Sequence, residues 1–226
     1  MDECKAMKIR VLEPDVNESE LTFTVNNRGD IRFGLGGIKG VGEGAVEAII
    51  NERTKNGKYK DIFDFMERVN LSACNRKTVE NLALAGAFDC FEGLYREQIL
   101  AINNRGENVL ETLMRYGNMY QQDRQQQQNS LFGDLGDAGV DIQHPELPQV
   151  QKWSAIERLN IEKSLIGIFL SAHPLDEYEF EVKEMCNITT EQLTQFDAWR
   201  TPDSRKTAMA QADNSNEEVE GEATKT

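Results

Sequence analysis

Thirteen residues, Phe33-Gly34-Leu35-Gly36-Gly37-Ile38-Lys39-Gly40-Val41-Gly42-Glu43-Gly44-Ala45, concentrate the chain's capacity to hold an anion. They contain six of its 17 glycines, and Val46, Ile49 and Ile50 follow at once with helical spacing. Glycine reaches positive φ without steric cost and lets another backbone come close. Placed just ahead of a helix, glycines leave its first amide N–H groups unshielded, where the macrodipole favours negative charge. The chemistry on offer is main-chain binding of phosphate.

Three uses of such glycines compete. A phosphate-binding loop of the Gly-x-x-x-x-Gly-Lys-Ser/Thr kind needs its lysine on the phosphates and its hydroxyl on magnesium. Gly37 and Gly42 have that spacing, but Glu43 and Gly44 occupy the two functional places, and a carboxylate there repels a triphosphate. A dinucleotide fingerprint is met formally by Gly40, Gly42 and Ala45, yet it requires a second strand after the helix. Asp61-Ile62-Phe63-Asp64-Phe65-Met66-Glu67 is helical in period, so no βαβ unit follows. The third use is a helix-hairpin-helix. In it Gly40-Val41-Gly42 is a tight turn whose backbone N–H groups, with Gly44 beside them, bind a DNA phosphate, while the Val41 side chain plugs the core between two helices. Phosphate contacts carry no sequence information and suit a protein that tracks along a duplex. Lys39, Lys55, Lys58 and Lys60 add charge. Asn75, Arg76 and Lys77 stand at a later helix N-terminus, ready for a second phosphate. The bland alternative is that the glycines only allow close helix packing.

The elements that must position this turn are mainly α-helical. Leu21-Thr22-Phe23-Thr24-Val25 and Ile31-Arg32-Phe33, joined by Asn26-Asn27-Arg28-Gly29, predict a short β-hairpin. Helical stripes follow: Val46, Ile49 and Ile50, closed near Asn56-Gly57, then Ile62, Phe65, Met66 and Val69. Asn75 is a good N-cap for a third helix with Val79, Leu82 and Ala83, ended at Gly86. A fourth carries Tyr95, Ile99 and Ile102. Leu84-Ala85-Gly86-Ala87-Phe88-Asp89 echoes Ile38-Lys39-Gly40-Val41-Gly42-Glu43 about 46 residues later, which suggests a tandem pair of hairpins. Residues 107–127 continue as a polar helix or fray, and since Gln121 to Gln128 form a glutamine-rich run without an apolar stripe, residues 107–150 read as a polar linker. Trp153 to Leu170 returns to helical spacing, and a short helix around Tyr178 to Val182 follows. Thr189-Thr190-Glu191-Gln192 is a capping-box signature, and the acidic residues 201–226 read as a disordered tail.

Composition narrows the partners. The net charge of −14 argues against non-specific nucleic-acid binding by the whole surface, without excluding a local site. Residues 28–60 carry seven basic side chains against four acidic ones, a basic island around the glycines. No apolar run reaches the roughly 18–20 residues of a membrane span. No apolar core of a signal peptide follows Met1-Asp2-Glu3-Cys4-Lys5. Cys4, Cys74, Cys90 and Cys186 are scattered, with only His144 and His173 beside them, which argues against a metal site and for reduced thiols in the cytoplasm. His173 reads as a turn residue before Pro174.

Several motifs in order carry a resemblance. Val11 to Ser19, then Ile31 to Gly42, Phe63-Asp64-Phe65, Leu84 to Asp89, Leu159 to Lys163 and Gly167 to Leu175 resemble the bacterial replicative DNA polymerase III alpha subunit, the C-family polymerases. One departure is Val46, where many such hairpins carry Ala. The resemblance implies a fragment. Residues 1–35 would end the fingers domain, and residues 36–106 would be the tandem helix-hairpin-helix that grips duplex DNA. Residues 107–150 would form the linker, and residues 151–200 helices leading towards an OB domain. Gln128-Asn129-Ser130-Leu131-Phe132 resembles the peptide by which bacterial polymerases bind the sliding clamp, with Gln128, Leu131 and Phe132 as contacts. The parent enzyme would be a DNA-directed DNA polymerase whose palm carboxylates hold magnesium. This chain shows no Asp-x-Asp triplet, so no catalytic residue, metal ligand or cofactor is assigned to it. Its expected partners are duplex DNA, the sliding clamp and other polymerase III holoenzyme subunits, with no membrane. A stand-alone helix-hairpin-helix DNA-binding or repair module and a helical interaction scaffold without nucleic acid are the alternatives.

Overall fold

The computed structural model describes residues 2–129 and 142–186. A short helix α1 (Asp2–Ala6) precedes a three-stranded sheet. The sheet takes the order β1 (Val11–Leu12), β3 (Ile31–Arg32), β2 (Thr24–Val25). β2 and β3 form the antiparallel hairpin that the sequence predicts, with Val25 opposite Ile31. Its turn is held by Asn26, whose Oδ1 accepts the amides of Arg28 and Asp30, both at 2.9 Å. β1 pairs parallel to β3 and is not foreshadowed by any periodicity in the sequence. Two residues are too few to show alternation.

The chain leaves β3 through buried Phe33 and Leu35 into a single 3-10 turn, Leu35–Gly37, and then the glycine hairpin. α2 (Glu43–Asn56) follows, burying Ala45, Val46 and Ile49, and stops at Gly57 with φ +85°. α3 (Ile62–Arg68) is capped by Asp61, which accepts the Asp64 amide at 2.8 Å. α4 (Arg76–Leu84) is capped by Asn75, which accepts the Thr78 amide at 3.0 Å, and it buries Val79, Leu82 and Ala83. α5 (Arg96–Leu100) is shorter than the expected fourth helix. Ile99 is buried, but Ile102 lies outside and exposed, because the Asn103 carboxamide accepts the Arg105 and Glu107 amides and reverses the chain.

The stretch read as a linker begins with α6 (Val109–Asn129), which is packed rather than free. Val109, Leu110, Leu113 and Tyr116 are buried in the common core. This stripe occupies only the first two turns, so the glutamine run behind it masks the signal. Gly117 lets α6 close on α3: a Cβ there would stand 2.6 Å from the Met66 carbonyl oxygen. Gln121 donates through Nε2 to the carbonyls of Met66 (2.9 Å) and Val69 (2.8 Å), satisfying acceptors that the end of α3 leaves open. One glutamine of the run is therefore a cap.

Residues 142–150 return along the body. His144 stacks on Phe63 with centroids 4.3 Å apart, and Gln98 donates to the Pro148 carbonyl at 3.0 Å. α7 (Ala155–Ile166) opens with a capping box in which Ser154 and Glu157 exchange bonds of 3.2 and 2.9 Å, and it ends at Gly167. Buried Glu162 then ties down the following loop, accepting the Ser171 amide at 2.9 Å and its hydroxyl at 2.7 Å. A second compact unit starts at Leu175, and its described part is a 3-10 turn, Asp176–Tyr178, running into α8 (Glu179–Glu184). The capping-box stretch at Thr189 and the acidic residues 201–226 lie outside the described residues. Among the described residues no helix is long and apolar enough to cross a membrane, and no three His, Cys, Asp or Glu side chains converge as metal ligands.

Candidate nucleic-acid interface

The glycine turn is shaped by two separate demands on Gly40. Its φ is +78°, a region costly for residues with a Cβ, and a Cβ there would sit 2.4 Å from Asn81 Nδ2. Asn81 is a buried side chain of α4 that donates to the Lys39 carbonyl at 2.9 Å. Val41 turns inward and is buried, while Lys39, Gly40, Gly42, Glu43 and Gly44 stay exposed. The Lys39 amide is held from behind by the Leu165 carbonyl of α7 at 3.0 Å. Backbone conformation, an α4 side chain and an α7 carbonyl thus fix one turn.

Gly42 is the N-cap of α2, with extended backbone and no side chain capping the helix. The first amides of any α-helix lack intrahelical partners. Nothing would touch a Cβ on Gly42 or Gly44, and both residues are exposed. The contrast with α4, whose first turn is already capped by Asn75, is direct. Glu43 carries an exposed carboxylate at the same end, which itself complements the helix dipole and would repel a phosphate brought directly beside it.

The structure brings the Asn75–Lys77 group to the same neighbourhood. Cys74, one residue ahead of Asn75, points its Sγ at the Ala45 carbonyl in the first turn of α2, 3.5 Å away. Arg76 and Lys77 are exposed and carry pairs of 3.2 Å each, to Glu111 and Glu80. Exposed pairs of this kind contribute little and exchange readily for another anion. Lys39, Lys55 and Lys60 have no ion pair among the described residues.

The basic island read from sequence is smaller than its residue count. Arg53 is nearly buried, paired with Glu20 at 2.6 Å and donating to the Val16 carbonyl at 2.9 Å. Arg32 pairs with Glu18 and donates to the Glu13 carbonyl at 2.9 Å. Lys58 also reaches Glu18, at 3.4 Å. Arg53 fastens α2 to the segment after β1 and Arg32 braces that segment against β3, so neither guanidinium is free to face a ligand, while Lys58 stays exposed. Asn81 was missed in the sequence, and its only trace there is a polar residue inside the Val79–Ala83 apolar stripe. For the expected clamp contacts, the α6 backbone runs through Gln128 to Asn129, and Leu131 and Phe132 lie outside the described residues.

Comparison with known proteins adds the family context to this geometry. A helix-hairpin-helix motif family matches residues 8–99, which span the sheet, both glycine turns and the helices around them. The alpha subunit of DNA polymerase III from Vibrio cholerae is 37% identical over 195 residues, covering 86% of this chain. The chain is related to one segment of the DNA polymerase III alpha subunit. The corresponding subunit of Pseudomonas aeruginosa is 38% identical over 193 residues and 81% of the chain, and that of Neisseria meningitidis serogroup A is 38% identical over 184 residues. The chain spans about 16% of the length of the Vibrio and Pseudomonas relatives. The motifs in which the sequence resembles polymerase III alpha include the turn itself, the Phe63 region at the α3–α6 contact and the Leu84–Asp89 turn.

Proposed function

We propose that this chain is the duplex-gripping segment of a replicative DNA polymerase of the polymerase III alpha type. The open, uncapped N-terminus of α2 at Gly42, in a chain related to that subunit, carries the reading. A backbone phosphate would accept from amides of the Gly42–Gly44 turn, and Lys39 would supply the nearest unpaired cation. Asn75, Arg76 and Lys77 would flank it. Nucleotide addition, and its magnesium, would belong to palm carboxylates elsewhere in such a polymerase, acting in the cytoplasm with the other holoenzyme subunits. Gln128, Leu131 and Phe132 would dock on the sliding clamp. Gln121 of α6 holds the helix to α3, and the eight residues from there to Asn129 carry the backbone about 12 Å further. Two linked contacts raise each other's effective concentration, so each can be weak alone.

The test is duplex binding by fluorescence anisotropy across a salt series. Contact with one to three phosphates predicts a loss of roughly 3- to 40-fold for a fourfold rise in salt. Lys39→Ala with Gly42→Ala should weaken binding further, and unchanged affinity at low salt would remove the DNA reading. For the clamp, Leu131→Ala with Phe132→Ala should abolish retention on immobilised clamp.

A further inference from the structure

The two glycine turns share a backbone shape and differ in what stands over them. Gly86 has φ +87°, close to the +78° of Gly40. Beyond Gly40 the chain enters α2 directly, past glycines with open space above them. Beyond Gly86, the positions that correspond to Gly42 and Gly44 hold Phe88, which is buried, and Cys90. No helix starts there; α5 begins only at Arg96 and lasts five residues.

What covers Gly86 is a cation of the chain itself. A Cβ on Gly86 would lie 2.1 Å from Arg96 Nη2 and 2.5 Å from its Cζ. The Arg96 side chain is 4% exposed and forks onto Asp89, with Nε donating at 3.0 and 2.9 Å. Glu13 approaches to 3.6 Å, and Nη1 donates to the Leu84 carbonyl at 3.4 Å. Arg158 of α7 reaches Asp89 from the other side at 3.4 Å. The Ala87 carbonyl accepts the Val16 amide at 3.0 Å, so this turn also anchors the segment after β1.

We infer that the second hairpin is a closed internal brace, in which Arg96 fills the hollow over Gly86, so that duplex DNA meets the first hairpin alone. The inference rests on the duplex-binding reading above. A phosphate entering the second turn would have to expel a buried guanidinium from its carboxylates and would then face Asp89. The brace instead joins the segment after β1, α4, α5 and α7 through one charge cluster.

Titration of the isotope-labelled full chain with a short duplex at low salt, followed by amide resonances, separates the outcomes. Shifts at residues 39–44 with none at 85–92 are expected. Matching shifts in both turns, or shifts at 85–92 alone, would overturn the inference while DNA binding stands. Silence in both turns would remove the duplex reading and the inference with it. A second arm uses variants. Gly42→Ala with Gly44→Ala meets no steric obstacle, and it should weaken duplex binding roughly tenfold by shielding the amides. Arg96→Lys, checked for native circular dichroism, should leave affinity within about twofold, because no phosphate contact is disturbed. A tenfold change in folded Arg96→Lys would overturn the brace.

Discussion

Replacing Gly40 with alanine should cost about 2–5 kcal/mol, and the structure divides that figure into two parts. A Cβ at φ +78° costs roughly 1–2 kcal/mol in backbone strain. The same Cβ would stand 2.4 Å from Asn81 Nδ2, so Asn81 must move and surrender its 2.9 Å bond to the Lys39 carbonyl. A buried polar group left unpaired costs roughly 1–3 kcal/mol. Gly29 provides the control, since it has φ +83° but nothing within 4 Å of where a methyl would stand. Gly29→Ala should therefore show the backbone part alone, about 1–2 kcal/mol. In an Asn81→Ala background, which opens the space, Gly40→Ala should fall to the same value. Urea unfolding followed by far-ultraviolet circular dichroism measures all four proteins, and with slopes of about 1–3 kcal/mol/M the single Gly40 variant should lose roughly 1 M or more in midpoint. Equal costs for Gly40→Ala and Gly29→Ala, or strict additivity with Asn81→Ala, would refute the claim that Asn81 sets the turn.

Gly86→Ala should be worse, about 3 kcal/mol or more, because it displaces a buried, paired guanidinium; a stability loss no larger than that of Gly29→Ala would contradict the packing described. The Arg10 guanidinium, hydrogen-bonded to Asp30 at 3.0 and 2.8 Å, holds that carboxyl below its ordinary value. Its contribution is therefore present above the usual carboxylate range and is lost as pH falls through the folded value, so Asp30→Asn should flatten the acid limb of the stability curve. Burial pushes the Cys74 thiol up to about 12, and the group lies in the core. A thiol-specific reagent at mildly alkaline pH should label exposed Cys186 promptly and Cys74 only on unfolding.

Local signals were legible in the sequence where neighbours along the chain decide the outcome. The Asn75 cap, the stop at Asn56-Gly57, the α2 and α3 stripes and the β2–β3 hairpin all depend on residues within a few positions of one another. What failed depends on distant partners. Strand β1 exists because β3 offers it an edge, and α6 is anchored by Gly117 and Gln121 against the end of α3. Arg32 and Arg53 counted as basic surface, but their partners Glu18 and Glu20 lie outside the window in which the charges were counted. At the site, residue type revealed the glycines. It could not reveal that Asn81 stands over one turn and Arg96 over the other, since both contacts are made across the fold.

The bond from the Lys39 amide to the Leu165 carbonyl also sets an order of assembly. During synthesis the glycine turn emerges early, while its acceptor lies in a helix made only after α3 to α6 have all appeared. At roughly 5–20 residues per second, the turn waits on the order of ten seconds for that partner. Chains arrested before α7 should therefore show rapid hydrogen exchange at Lys39 with the α2–α4 core already protected. The glycine turn is thus closed only after the helices between it and α7 have been made.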